Sequence, residues 1–121
     1  MAIKKILLVD DSPTERHFLS GLLIKEGYQV VLAENGEEAL GKAKQEKPDL
    51  IIMDVVMPGL NGFQATRAIT KDEETKHIPV IMCTTKGQET DKVWAMRQGA
   101  KDYVTKPVDQ AELLNKISAL G

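Results

Sequence analysis

The sequence is poor in cysteine and aromatic residues, with one Cys, one Trp, two Tyr and two Phe among 121 residues. A lone cysteine, Cys83, excludes an internal disulfide. Its neighbours in "VIMCTT" are typical of a strand, so we expect a packed, reduced thiol. No apolar run approaches the roughly 18 to 20 residues of a membrane span. The N-terminal "MAIKKILLVDD" also lacks the long apolar region and cleavage site of a signal peptide, which predicts a cytoplasmic protein.

The charges are nearly balanced, with 16 basic and 18 acidic residues and a formal net charge of −2. This balance provides no basic field for nucleic acid or for an anionic membrane surface, so we expect neither nucleic-acid binding nor membrane insertion. The chain has the length of one domain, and 42% hydrophobic residues suffice for a core. We found no linker or low-complexity segment, so we expect one domain over residues 1–121 with no attached effector domain.

Short apolar runs alternate with helical patterns along the whole chain, which is typical of βα units around a parallel sheet. Runs such as "ILLV" and "LIIM" lack alternation, as expected of strands covered by helices on both faces. The predicted strands are Ile3–Val9, Tyr28–Ala33, Leu50–Met53, Val80–Thr84 and Tyr103–Thr105. The sequence therefore predicts a single doubly wound α/β domain with five βα units.

Three helix starts carry a capping side chain followed three residues later by glutamate, a pattern that resembles a capping box. The pairs are Ser12 with Glu15, Asn35 with Glu38, and Asp109 with Glu112. Pro13 suits the first helical position, and Gly27 is expected to end that helix. Phe18, Leu19, Leu22 and Leu23 form its predicted apolar face. Two further helices, after Gly62 and Lys86, are less clearly marked.

Polar side chains stand where the predicted strands end. In an open parallel sheet, ligands bind beyond the carboxyl ends of the strands, where the strand order reverses. The strand ends carry Asp10, Asp11, Asp54, Thr84, Thr85, Thr105 and Lys106. If the order is 2-1-3-4-5, the three carboxylates, the hydroxyls and the ammonium group converge on one edge of the sheet.

Three neighbouring carboxylates repel one another, and each pair at about 4 Å costs ~4 kcal/mol at an effective dielectric constant near 20. A hard divalent cation would offset this cost, and Mg²⁺ prefers carboxylates, waters and phosphate oxygens. The edge is thus interpreted as a phosphoryl-transfer site. Asp54 would be the nucleophile, Lys106 would neutralise phosphoryl oxygens, and Thr84 would hydrogen-bond one of them.

Each motif also has a simpler explanation. The pair Asp10-Asp11 before Ser12-Pro13 is, taken alone, better explained by turn and cap chemistry. Asp54 is harder to explain in that way, because "VVMPGLNG" after it builds a turn-rich loop that holds the carboxylate at the sheet edge. The presence of functional groups at all four strand ends favours a site over coincidence.

The motifs "VDDS", "MDVVMPGLNG", "CTTK" and "GAKDYVTKP", with the spacing between them, resemble the receiver domain of bacterial two-component response regulators over the whole chain. The resemblance implies a flavodoxin-like fold with strand order 2-1-3-4-5. It implies that Asp54 accepts a phosphoryl group from a sensor histidine kinase in a Mg²⁺-dependent reaction. The protein would then be a self-phosphorylating signalling module and not a metabolic enzyme.

The same resemblance assigns the remaining roles. Asp10, Asp11, Asp54 and the Val56 carbonyl would bind Mg²⁺. Thr84 and Tyr103 would be the switch residues, Lys106 would be the cationic partner of the phosphoryl group, and the Lys106–Pro107 peptide would be cis. The output face would be formed by the fourth helix, fifth strand and fifth helix. Trp94 on that helix is either half-buried packing or a partner contact.

The segments "PGLNGFQATR" and "TKGQETDKVWAMRQGAKDYVTKPVD" are more narrowly similar to stand-alone receivers of chemosensory systems that control type IV pili and twitching motility. Receivers of phototaxis, sporulation or chemotaxis type share most of these residues. Val56 and Lys86 would either point to solvent without effect or flank the site without orienting a hydrolytic water, and the second case predicts slow self-dephosphorylation. His17 and His77 are expected to be exposed spectators.

Three other functions fit the sequence less well. An aspartyl-phosphate hydrolase of the haloacid-dehalogenase kind needs an Asp-x-Asp arrangement that "VDDSPT" does not provide. A flavodoxin-like cofactor binder needs a phosphate-binding loop after the first strand, where "DDSPTE" would repel phosphate without a metal. A receiver that only binds proteins, independently of phosphorylation, is disfavoured because all the acids, the hydroxyl and the lysine are present.

Overall fold

The computed structural model describes residues 3–57, 59–85 and 89–120. Within these ranges the elements alternate strictly between strand and helix. They are β1 (Lys5–Val9), α1 (Pro13–Lys25), β2 (Gln29–Ala33), α2 (Gly36–Glu46), β3 (Leu50–Asp54), α3 (Gly62–Lys71), β4 (Val80–Thr85), α4 (Glu89–Arg97), β5 (Asp102–Lys106) and α5 (Gln110–Leu120). The predicted strands are all present, with ends shifted by one or two residues.

The five strands form one parallel sheet in the order β2-β1-β3-β4-β5. The predicted doubly wound α/β fold and its strand order are therefore confirmed. The chain runs outward from β1 to β2, then crosses back to β3 on the other side of β1. The carboxyl ends of β1 and β3 consequently lie side by side at the point where the strand order reverses, with β4 and β5 beyond them.

The sheet is buried on both faces, which explains the uninterrupted apolar runs of its central strands. Alternate residues of these strands enter two separate clusters. One cluster, with Leu7, Ile51, Met53 and Met82, packs against α2, α3 and α4, and the other, with Ile6, Leu8, Leu50, Ile52, Ile81 and Val104, packs against α1 and α5. Because both faces of β3 are covered, Leu50–Met53 are fully buried, and the chain can turn toward solvent only after Asp54.

The predicted caps accept hydrogen bonds as expected. The side chains of Ser12, Asn35 and Asp109 each accept a bond from the backbone N–H three residues later. The reciprocal capping box forms at a pair that the sequence pattern did not single out, Asn61 and Gln64 at the start of α3. These two bonds fix the start of the helix that follows β3.

The prediction that Phe18 lies on the buried apolar face of α1 is wrong. Leu19 and Leu23 are buried, whereas the Phe18 side chain is 49% exposed. A helix lying on a sheet buries a narrow stripe, and Phe18 falls outside it because Leu19 and Leu23 take the central line. Cys83 is buried as predicted, and burial raises the pKa of its thiol to about 12. In the parts of the chain that the structure describes, no helix is long and apolar enough to cross a membrane.

Candidate functional site

Asp10, Asp11 and Asp54 meet at the carboxyl edge of the sheet, as the sequence predicted. Asp54 is the last residue of β3, and Asp10 and Asp11 follow β1 directly. Each of the three offers one carboxylate oxygen, and these oxygens all lie within 4.8 Å of one another. Asp10 and Asp54 are buried, while Asp11 is exposed. The cluster therefore has a closed side within the sheet and an open side toward solvent.

Lys106, at the end of β5, joins the two buried acids. Its Nζ lies 2.9 Å from Asp54 Oδ1 and 3.2 Å from Asp10 Oδ2. The side chains of Asp10 and Asp54 are 2% and 8% exposed, so little water is available to solvate their charges. The lysine thus offsets part of the carboxylate repulsion that the sequence analysis assigned to a cation alone.

The electrostatics of the site raise the pKa of both partners. Burial raises the pKa of the Asp54 carboxyl from its usual 3.8 to about 6, Asp10 adds to the rise, and the hydrogen bond from Lys106 opposes it. Burial by itself would lower the pKa of the Lys106 ammonium, but Asp54 and Asp10 together raise it above its ordinary value. Lys106 is therefore fully charged at neutral pH, and most Asp54 side chains are ionised and able to act as nucleophiles.

The backbone around Asp10 is fixed by contacts that the sequence analysis missed. The Ser12 N–H donates to Asp10 Oδ1 at 2.9 Å, and the Arg16 guanidinium donates to the Asp10 carbonyl at 2.7 Å. The other arm of Arg16 pairs with Glu34 at 3.2 Å. A cation one turn into the helix that follows an acid pair was the available signal, but its contact with a backbone carbonyl is visible only in three dimensions.

The loop after Asp54 is held close to β3. The Gly62 N–H donates to the Val55 carbonyl at 2.9 Å, and the Leu60 N–H donates to the Glu37 carboxylate of α2 at 3.1 Å. A Cβ atom on Gly62 would lie 2.0 Å from the Asp54 carbonyl oxygen, so only glycine fits there. Sequence reasoning identified Gly62 as a turn residue, but its role is to permit close backbone approach.

Thr84 and Tyr103 lie on neighbouring strands. Thr84 is fully buried at the end of β4, and its hydroxyl donates to the Val104 carbonyl of β5 at 3.4 Å. The Tyr103 ring is partly buried, with the ammonium nitrogens of Lys116 and Lys92 at 4.9 and 5.4 Å from its centroid. Through its bond to the Val104 carbonyl, the Thr84 hydroxyl contacts the backbone next to Tyr103.

The remaining features predicted from the sequence have separate outcomes. The Val56 side chain is 67% exposed, and its predicted role as a carbonyl ligand remains a prediction. Lys86 lies outside the described residues. The Lys106–Pro107 peptide is cis, as the resemblance implied. His17 and His77 are both exposed, and the structure brings neither to the acid cluster.

The residues present fit a hard divalent cation. Three carboxylate oxygens within 4.8 Å of one another, one of them on an exposed residue, provide anionic oxygen donors and an open approach for water and phosphate. Lys106 occupies one oxygen each of Asp10 and Asp54, and the Asp11 carboxylate is on the open side. This donor set suits Mg²⁺ better than a soft metal, because it contains neither sulfur nor imidazole.

Comparison with known proteins establishes the family. Residues 6–118 match the model of the response regulator receiver domain, so this chain belongs to the receiver family of response regulators. The chain is 63% identical over 116 residues to Protein PilH of Pseudomonas aeruginosa, and the match covers 96% of both proteins. This similarity is in line with the resemblance to stand-alone receivers of type IV pilus systems. Two longer relatives are matched over 52% and 26% of their length.

Solved structures agree with this assignment. The chemotaxis protein CheY4 of Vibrio cholerae is 35% identical, with a TM-score of 0.91 and coverage of 99% of this chain and 100% of that one. The receiver domain of sensor histidine kinase PA1611 from Pseudomonas aeruginosa is 33% identical, with a TM-score of 0.90 and 98% coverage of both chains. That domain has a magnesium ion coordinated in its active-site cleft. The predicted receiver domain is therefore confirmed.

Proposed function

We propose that the protein is a stand-alone response regulator that accepts a phosphoryl group on Asp54 from a sensor histidine kinase. The observation that carries this proposal is the position of Asp54. Its carboxylate ends a buried strand, lies 2.9 Å from a lysine ammonium and shares a small volume with two further acids. A nucleophile placed between a fixed cation and a cation-binding acid pair suits phosphoryl transfer.

In the proposed reaction, one Asp54 carboxylate oxygen attacks the phosphorus of the kinase phosphohistidine. The O–P bond of an aspartyl phosphate forms, the P–N bond breaks, and the imidazole leaves with the bonding electron pair and takes up a proton. The Lys106 ammonium, already beside Asp54 Oδ1, stabilises the negative charge of the transferring oxygens. Asp54 needs no separate base, because its carboxyl is mostly ionised at neutral pH.

Mg²⁺ bound by Asp10, Asp11, Asp54 and the Val56 carbonyl would neutralise charge on the phosphoryl oxygens and help to align them. Asp10 is held for this role by Ser12 and Lys106, and Asp11 extends the donor set toward solvent. The protein side chains contribute by holding the carboxylate oxygens in position before the phosphodonor arrives. We propose the cation as a requirement of the reaction and not of the fold.

The proposed switch runs from Thr84 to Tyr103. In the structure the Thr84 hydroxyl donates to the Val104 carbonyl, next to Tyr103 in β5. A phosphoryl group on Asp54 would offer this hydroxyl a stronger, charged acceptor, and Lys106 would be drawn to the same group. Both changes act on β5, so we propose that they alter the position of the Tyr103 ring and the surface around it.

We propose that the surface formed by α4, β5 and α5 binds a downstream motility protein. A cleft of about 540 Å³ there is lined by Lys92, Val93, Met96, Arg97 and Tyr103. The side chains of Val93, Trp94 and Met96 on α4 are about half exposed. Neighbouring apolar side chains that the fold leaves uncovered are typical of a surface that binds another protein. Apolar residues flanked by cations suit a partner segment that is itself apolar and acidic. We also propose that this signalling takes place in the cytoplasm.

The test of the proposed function is modification by small phosphodonors. Acetyl phosphate with Mg²⁺ should add one acid-stable, base-labile phosphoryl group, and beryllofluoride should bind under the same conditions. Asp54→Ala and an excess of chelator should each abolish the label. Labelling that survives either treatment would contradict the mechanism. Release of many equivalents of phosphate per protein would instead support the metal-dependent aspartyl-phosphate hydrolase.

A further inference from the structure

Arg16 makes a short side-chain contact with the backbone of the acid pair. Its guanidinium donates to the Asp10 carbonyl at 2.7 Å, and its second nitrogen pairs with Glu34 at 3.2 Å. The Arg16 side chain is only 13% exposed, although it lies in the first two turns of a surface helix. Both terminal nitrogens of the Arg16 guanidinium are thus engaged. The group has little freedom to rotate, because its planar shape must satisfy two acceptors at fixed angles.

The Asp10 carbonyl belongs to the peptide that joins Asp10 to Asp11. The Asp10 side chain has its own fixed partners, Ser12 N–H on one oxygen and Lys106 on the other. The Asp11 side chain is exposed, so packing does not define its direction. The orientation of the Asp10–Asp11 peptide sets the position of the Asp11 backbone and so limits the region that the Asp11 carboxylate can reach, and Arg16 holds that peptide.

We propose that Arg16 is a positioning residue for Mg²⁺ binding, which it strengthens by holding the Asp10–Asp11 peptide so that Asp11 faces the other two acids. This inference rests on the proposed Mg²⁺-dependent function of the same site. Residues that hold metal ligands in place commonly change metal affinity when they are replaced. Nothing in this role requires Arg16 to touch the cation or the phosphoryl group.

The sign of the effect separates positioning from simple electrostatics. Arg16 is a cation close to a cation-binding site, so charge alone predicts that its removal tightens Mg²⁺ binding. Positioning predicts the opposite, since a disoriented Asp11 contributes less to the site. A purely structural role predicts lower stability with an unchanged Mg²⁺ dissociation constant.

The experiment is Mg²⁺ titration by calorimetry of wild type, Arg16→Met and Arg16→Lys, with no phosphodonor present. We expect the Arg16→Met dissociation constant to rise about tenfold. Arg16→Lys keeps the charge but cannot span both acceptors, so its dissociation constant should rise about threefold. Lys42→Met is the matched control. Lys42 also donates to a backbone carbonyl, that of Leu32, but neither residue belongs to the acid cluster, so its removal should leave Mg²⁺ affinity unchanged.

A second measurement checks that reduced affinity is the only defect. Labelling by acetyl phosphate should be slow in Arg16→Met at low Mg²⁺ and should recover to near the wild-type rate at saturating Mg²⁺. An Arg16→Met dissociation constant equal to or below that of wild type overturns the inference. If Arg16→Met fails to fold, Arg16→Lys decides the question in the same way. Failure of wild type to bind Mg²⁺ or accept phosphoryl would instead contradict the proposed function itself.

Discussion

Lys106 Nζ lies 2.9 Å from Asp54 Oδ1, so the proposed phosphoacceptor is already paired with a cation before any phosphoryl group arrives. The same nitrogen is 3.2 Å from Asp10 Oδ2. One lysine at the end of β5 thus connects the ends of β1 and β3 across the sheet edge. A phosphoryl group on Asp54 would add negative charge at this junction, which explains how modification could be transmitted to β5.

The first prediction concerns the pH dependence of stability without metal. The pKa of Asp54 is 3.8 in the unfolded chain and about 6 in the fold, so between these values the native state holds a proton that the unfolded chain has released. The contribution of this group is therefore complete below pH 4 and is lost as the pH rises through 6, by about 3 kcal/mol. Urea denaturation in chelator should show this loss in wild type relative to Asp54→Asn. Parallel curves for the two proteins would contradict the raised pKa.

The second prediction concerns Asp11, which is exposed while its two neighbours are buried. Because solvent screens its charge, Asp11→Asn should change the free energy of unfolding in chelator by less than about 1 kcal/mol. The variant should still lose most of the stabilisation that Mg²⁺ gives wild type, which follows RT ln(1 + [Mg²⁺]/Kd). Urea denaturation in chelator and in millimolar Mg²⁺ measures both effects. Equal stabilisation of both proteins by Mg²⁺ would exclude Asp11 as a ligand.

The third prediction concerns Lys106. Lys106→Met leaves two buried carboxylates without their cation, so it should lower the free energy of unfolding at pH 7 by about 2 to 4 kcal/mol. The loss should be smaller at pH 5, where Asp54 takes up a proton. Lys76→Met is the matched control, because the Lys76–Glu73 pair is largely exposed and contributes little. Similar losses in both variants would argue against a buried ionic junction. Phosphorylated Lys106→Met should also lose phosphorylation-dependent partner binding.

The fourth prediction concerns Gly62. A Cβ atom there would lie 2.0 Å from the Asp54 carbonyl oxygen, so Gly62→Ala should displace α3 or the end of β3. We expect a loss of about 3 kcal/mol in stability, at the upper end of the usual cost of overpacking because the clashing atoms are backbone, together with slower labelling of Asp54. Gly41→Ala provides the comparison, since nothing lies within 4 Å of its added Cβ. That substitution in the middle of α2 should stabilise the protein by about 0.5 to 1 kcal/mol. Equal effects of the two substitutions would contradict the close approach.

The positions of the strands and the composition of the site could be read from the chain itself. Runs such as Leu50–Met53 have no alternation, so they predict strands buried on both faces, and this is what the structure shows. The acids, the hydroxyl and the lysine follow such runs directly, and a parallel sheet brings strand ends to one edge. The strand order itself came from the resemblance to receivers, because local patterns do not specify which strands are neighbours.

The tertiary structure alone decided how these groups interact. Lys106 meets Asp10 across 96 positions of sequence, and whether a lysine faces a phosphate, water or two carboxylates depends on the packing of β5. The contact of Arg16 with the Asp10 carbonyl and the exposure of Phe18 could not be predicted from the sequence either. A helix pattern defines an apolar side of the helix but not how the helix is rotated against the sheet. Periodicity and turn chemistry depend on residues that are close together in the sequence, so they can be recognised from the sequence itself. Ion pairing and close approach depend on the distance between separate elements, which is fixed only when the whole chain has folded.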